Sequence, residues 1–120
     1  YYRAADVYVH AARADTFPTV VLEAAACGCP VVATNVGGIP EQVQHEETGF
    51  LIPPGELDTM AGHIERLLGS EALRRRVGAA AAQYAAKRYD HRRQVAEYLA
   101  WYEEVLAQQE ALRHRRSGRT

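Results

Sequence analysis

The sequence contains no apolar run near the ~20 residues a membrane-spanning helix needs, and its start, Tyr1-Tyr2-Arg3, is not a basic leader followed by an apolar stretch. A bilayer-spanning segment and an export signal are therefore not expected, and a cytoplasmic location is. The chain begins without Met and runs almost directly into an apolar segment, so upstream sequence is expected. Cysteine is scarce, with only Cys27 and Cys29 one residue apart, a spacing that strains an intramolecular disulfide. No second Cys or His pair stands at zinc-like spacing, so two buried or half-buried thiols are expected and no metal site. Basic residues are few in the first 72 positions, where ten acids face Arg3, Arg13 and Arg66.

The remaining 48 residues reverse that balance, with five acids against eleven bases. Arg74-Arg75-Arg76 and Arg113-His114-Arg115-Arg116 are read as solvated faces rather than nucleic-acid contacts, the first on an amphipathic helix and the second in a polar tail, 109–120, expected to fray. The length of 120 residues, 48% hydrophobic and 24% charged, suits an ordinary globular domain occupying 1–108.

Val7-Tyr8-Val9 reads as a short strand, followed by a polar loop. Pro18 near the start and Gly28 just past the end bracket a helix of about ten residues. Val31-Val32-Ala33-Thr34 has the unbroken apolar character of a strand buried on both faces. Asn35 to Pro40 is a glycine-containing turn, Glu41 to Gln44 a short helical patch, and Thr48 to Ile52 a third strand stopped by Pro53-Pro54-Gly55. This order requires right-handed crossovers and a parallel sheet, which binds ligands beyond the carboxyl ends of its strands.

Three helices should follow. Leu57, Met60, Ala61, Ile64, Leu67 and Leu68 mark the first. The second carries Leu73, Val77, Ala80, Ala81 and Tyr84 behind Ser70 as N-cap. Asp90 caps the third, whose Val95, Tyr98, Leu99, Tyr102, Val105 and Leu106 form an apolar stripe expected in a core. Three strands are part of a doubly wound sheet, and one edge stays open unless more chain covers it.

The segment from Asp15 to Gly28 concentrates chemistry. It combines a loop acid, amides without intrahelical partners at Thr19 and Val20, and a second acid, Glu23, one and a half turns into the helix. Such a helix start suits an anion, and a carboxylate suits a vicinal diol such as a ribose. The residues alone leave another reading equally open, with Asp15 capping the helix region and Glu23 solvated.

The run from Asp15 through Thr34, with Val36-Gly37-Gly38-Ile39-Pro40-Glu41 and Thr48-Gly49-Phe50-Leu51-Ile52-Pro53-Pro54-Gly55 behind it, resembles the donor site of the family 4 (group 1) retaining glycosyltransferases of the GT-B fold. The resemblance reaches about residue 108. It implies an α/β fold, the second half of a Rossmann-like domain with a short parallel sheet and C-terminal helices. In that family an acid, seven residues and a Glu form the donor motif, and Asp15 and Glu23 stand in those places.

The resemblance further implies that Glu23 holds the nucleotide ribose, Asp15 meets the transferred sugar, and the amides of Thr19 and Val20 hold the diphosphate, with Phe17 beside them. Asp at the first place departs from the commoner Glu. Gly37 and Gly38 either approach the donor or pack strand against helix. The donor would be a nucleotide-diphosphate sugar, with no other cofactor and no metal. The basic pair that neutralises the diphosphate and the acceptor-binding N-terminal domain would lie upstream of residue 1, leaving this chain inactive alone; membrane association of the longer enzyme stays open. Two alternatives stand beside this reading: a non-catalytic packing module that keeps the scaffold, and a receiver-like domain with acids at a strand end.

Overall fold

A computed structural model describes residues 1–117, and they fall into two compact units divided between Arg88 and Tyr89. In the first unit, strands β1 (Tyr8–His10), β2 (Val31–Thr34) and β3 (Gly49–Ile52) alternate with helices α1 (Thr19–Ala26) and α2 (Ile39–Gln42), and α3 (Leu57–Leu68) and α4 (Glu71–Arg88) follow. The sheet is parallel in the order β1-β2-β3, with Tyr8 opposite Val31 and Val31 opposite Gly49. The expected parallel α/β order is present, with the first strand displaced by one residue so that His10 lies inside it. Among the described residues the outer edge of β1 is unpaired.

All four residues of β2 are buried, because helices cover both faces. The strand's period of two sorts its side chains. Val31 and Ala33 pack with Val21, Ala24, Cys29, Ile39 and Val43, while Val32 joins Phe50, Ile52, Met60, Leu67 and Val77. Tyr8 and His10 stand opposite Val31 and Ala33 and so lie on the α1 side. Helices α1 and α4 meet through Ala25, Ala81 and Ala85. Gly78 is part of that approach, since a Cβ there would collide with the carbonyl oxygen of Gly28. Gly28 itself ends α1 at φ +74°, the left-handed turn that glycine makes without strain.

Several local expectations are met and others are corrected. The Ser70 hydroxyl accepts from Leu73 N at 3.2 Å, and the Asp90 carboxylate accepts from Arg92 N at 2.7 Å, so both caps form. Arg74 is not a solvated side chain. Its guanidinium donates to Leu67 O and Leu68 O at 2.8 and 2.9 Å, satisfying carbonyls at the end of α3, and pairs with Asp6 at 3.3 Å. Cys29 is buried as expected, but Cys27 is exposed, because it follows the last turn of α1 on its outer side.

The second unit is helix α5 (His91–Ser117). It continues through the expected tail as far as Ser117, and the rest of that tail, 118–120, lies outside the described residues. Of its apolar stripe, Val95, Tyr98, Leu99, Tyr102 and Leu106 are exposed in this chain and Val105 is half-buried. Helical periodicity produces the stripe, but burial requires a partner face.

Candidate functional site

The loop between β1 and α1, residues 11–18, carries Asp15 and is held by Thr34 at the end of β2 and by the segment that follows it. At the β1 end, the buried Thr34 hydroxyl donates to Ala12 O at 2.6 Å and accepts from Ala12 N at 3.1 Å. In the middle, Gly37 and Gly38 lie against the backbone of Asp15 and Thr16: a Cβ on Gly37 would strike Asp15 O, and one on Gly38 would strike Thr16 O and come within 2.8 Å of the Phe17 ring. Gly37 also has φ +53°, so a side chain is excluded there on two grounds. At the α1 end, buried Gln42 donates from Nε2 to Pro18 O at 3.1 Å. The paired glycines pack closely against the Asp15 loop rather than between strand and helix.

Asp15 does not cap α1. Pro18 occupies the N-cap position, and no side chain caps that terminus. Val21 N donates to Pro18 O at 3.3 Å, while helix geometry leaves the amides of Thr19 and Val20 without acceptors inside α1. The half-buried Asp15 carboxylate instead meets His10, whose Nε2 lies 3.2 Å from Oδ2. On the other side of that ring, the Tyr8 hydroxyl lies 3.2 Å from Nδ1.

Glu23 is exposed on α1, where its carboxylate charge acts on the Tyr2 hydroxyl. The Tyr2 ring packs edge-on against Tyr8, with centroids 5.5 Å apart. Tyr2, Tyr8, His10 and Asp15 thus form one series of contacts, with the Glu23 charge acting on its Tyr2 end. Desolvation pushes the Tyr8 hydroxyl pKa up, the Glu23 carboxylate adds to this and Asp15 contributes least, so the phenol stays protonated at neutral pH. Desolvation likewise leads the rise at Tyr2, with Glu23 next.

The sequence reading named Asp15, Phe17, Thr19, Val20, Glu23, Gly37 and Gly38. The structure gathers Asp15, Thr16 and Phe17 on the glycine turn and places Thr19, Val20 and Glu23 on α1. It adds Tyr2, Tyr8 and His10, of which the sequence reading used only Tyr8, as part of a strand. The one available signal was the period of two, which puts Tyr8 and His10 on the same face as the start of α1.

A separate cavity of about 300 Å³ opens at the carboxyl ends of the three strands, lined by Ala12, Arg13, Thr34, Ile52, Pro53 and Met60 among others. Neither Asp15 nor Glu23 lines it. Among the described residues, no group of three or more His, Cys, Asp or Glu is placed to hold a metal ion, and no helix is long and apolar enough to cross a membrane.

Residues 1–84 match the family model of the glycosyl transferases group 1. The chain is 36% identical over 101 residues to N-acetyl-alpha-D-glucosaminyl L-malate synthase of Bacillus anthracis, a match covering 84% of this chain and 26% of that protein. Its structure resembles sucrose-phosphate synthase from Thermosynechococcus elongatus with a TM-score of 0.84 at 34% identity, over 89% of this chain and 27% of that one. It also resembles Anabaena HepE, solved in complex with UDP, with a TM-score of 0.76 at 33% identity, over 82% of this chain and 28% of that one. The chain therefore spans about a quarter of the length of these relatives. The chain belongs to the glycosyl transferases group 1 family, and its sheet and helices are part of that family's GT-B fold.

Proposed function

We propose that this chain is the nucleotide-sugar half of a glycosyltransferase that moves a sugar from a nucleotide diphosphate to an acceptor hydroxyl with retention of anomeric configuration. Glu23 accepts hydrogen bonds from the ribose diol, and the amides of Thr19 and Val20 receive the diphosphate at the positive end of α1. Asp15 meets the transferred sugar, with Phe17 beside it and Gly37 and Gly38 fixing the loop from behind. No cofactor beyond the donor enters this reading. Catalysis rests on donor positioning and on stabilising the departing diphosphate, in partnership with an acceptor-binding N-terminal domain. The isolated chain binds donor without turning it over.

The observation that carries the proposal is the grouping of Asp15, His10, Tyr8 and Tyr2, with the Glu23 charge acting on Tyr2, beside the α1 amides that have no acceptor inside the helix. The complexes of Anabaena HepE with UDP and UDP-glucose support a uridine or similar nucleotide as the anchoring group. The test is a titration of the chain by heat or ligand-observed NMR against UDP, GDP and their sugar conjugates at low salt. Saturable binding is expected, weakened about tenfold or more by Glu23→Ala, the scale of a hydrogen bond to a charged group. Glu41→Ala should leave it unchanged. Equal losses in the two variants, or no binding by the folded chain, would sink the proposal.

A further inference from the structure

The His10 ring lies between two groups whose hydrogen-bonding roles are fixed by chemistry. An ionised Asp15 carboxylate can only accept, so Nε2 carries the proton that it donates across the 3.2 Å contact. Nδ1 is then the acceptor, and the Tyr8 hydroxyl 3.2 Å away is the donor. The tautomer is thereby set from both sides, and the ring is further confined by Tyr8, with centroids 6.1 Å apart. The His10 and Asp15 side chains are 17% and 30% exposed, so the pair is shielded from water more than a surface ion pair is. The contact uses Oδ2, and a carboxylate has a second oxygen with its own lone pairs.

We infer that His10 is a positioning residue that clamps Oδ2 of Asp15, fixing the carboxylate plane so that Oδ1 is presented to a hydroxyl of the transferred sugar. The inference rests on the proposed role of Asp15. An aspartate on a loop has two side-chain torsions to lose when it binds, and a ring held by Tyr8 removes that freedom before the donor arrives. Tyr8 acts through His10 and does not itself meet the donor. His10 therefore contributes to recognition of the sugar and little to recognition of the nucleotide.

The test separates those two contributions. Dissociation constants of the chain are measured for UDP against UDP-glucose and for GDP against GDP-mannose, and the ratio of conjugate to free nucleotide is followed. Asp15→Ala should raise that ratio about tenfold while leaving the nucleotide constant nearly unchanged. His10→Asn, which keeps a polar side chain but is too short to reach Oδ2, should do the same. His10→Gln, whose Nε2 stands near the place of the imidazole Nε2, should return the ratio to within about twofold of the original, since the donor to the carboxylate is kept.

A ring ¹⁵N spectrum of the unsubstituted chain should show the Nε2–H tautomer at neutral pH, and Asp15→Asn should disturb it. If Asp15→Ala raises the ratio and His10→Asn does not, the positioning role is overturned. The Nδ1–H tautomer would overturn it as well. If Asp15→Ala leaves the ratio unchanged, the proposed sugar contact itself is wrong.

Discussion

The same substitution at two helical glycines should have opposite effects. Gly62, in α3, faces open space, with nothing within 4 Å of where a Cβ would stand. Ala there gains only the helix-propensity difference, a stabilisation of about 1 kcal/mol. Gly78 in α4 gains the same amount, but its Cβ would meet the Gly28 carbonyl oxygen and come within 3.6 Å of Pro30 Cδ. Because the obstacle is backbone, relief requires α4 to move from α1 and loosen the Ala25, Ala81 and Ala85 contact. Overpacking of this kind costs about 1–3 kcal/mol, and a rigid obstacle belongs at the upper end, leaving a net loss of about 1–2 kcal/mol for Gly78→Ala.

Urea unfolding followed by NMR of the Val21, Val31 and Val32 methyl groups is the suitable assay, since these are fully buried in the first unit. Trp101 fluorescence is unsuitable because that side chain is exposed on α5, in the other unit. With a slope of about 1–3 kcal/mol per molar urea, the midpoint should fall by about 1 M for Gly78→Ala and rise by a similar or smaller step for Gly62→Ala. A Gly78→Ala chain as stable as Gly62→Ala would refute the close approach of α1 and α4.

Gln42 is buried, with Nε2 on Pro18 O and Oε1 without a protein partner among the described residues. Gln42→Glu puts a charge where nothing compensates it, so stability should drop by about 2–4 kcal/mol near neutral pH and recover on acidification, measured by unfolding at several pH values. Burial raises the Cys29 thiol pKa, with Cys27 and then Asp6 adding to it, and Cys27 is exposed; a thiol-reactive dye near neutral pH should label Cys27 quickly and Cys29 only as the chain opens. His63 stacks on Phe50 with centroids 4.5 Å apart, and burial, Arg66 and His45 lower its pKa against a smaller opposing effect of Glu46. The unfolded chain then takes up the proton first, so stability is complete above about pH 6.5 and falls as pH drops below it. In His63→Leu this component of the pH dependence should disappear, and an unchanged profile would exclude His63 as its source.

The fold was legible where neighbouring residues decide it. Val31 to Thr34 could only be an interior strand, Ser70 and Asp90 announced helix starts, and Gly28 announced a stop. The Asp15 and Glu23 pair was singled out by resemblance to the family's donor motif, since the residues alone left capping and solvation equally open. His10 was not, because its partner stands five positions away across an irregular turn, where no periodicity brings side chains together. Arg74 was missed because its carbonyl partners, Leu67 and Leu68, belong to the preceding helix, and helical spacing within α4 is silent about them. The stripe on α5 was read as a face, and Val95, Tyr98, Leu99, Tyr102 and Leu106 are exposed in this chain, since amphipathicity records only that a face is apolar.

Thr34, Gly37, Gly38 and Gln42 grip the loop before α1 at its beginning, middle and end. At the middle the grip is main chain on main chain, which has no rotamers to exchange. The loop is therefore a cast of the 34–42 segment: its outline is copied from the contour beneath it and has little shape of its own. Changes along the loop that keep the backbone should leave the position of Asp15 intact, whereas a single methyl group added beneath it at residue 37 or 38 should displace the whole loop. The positions most able to misplace the acid are thus ones that bear no functional group at all.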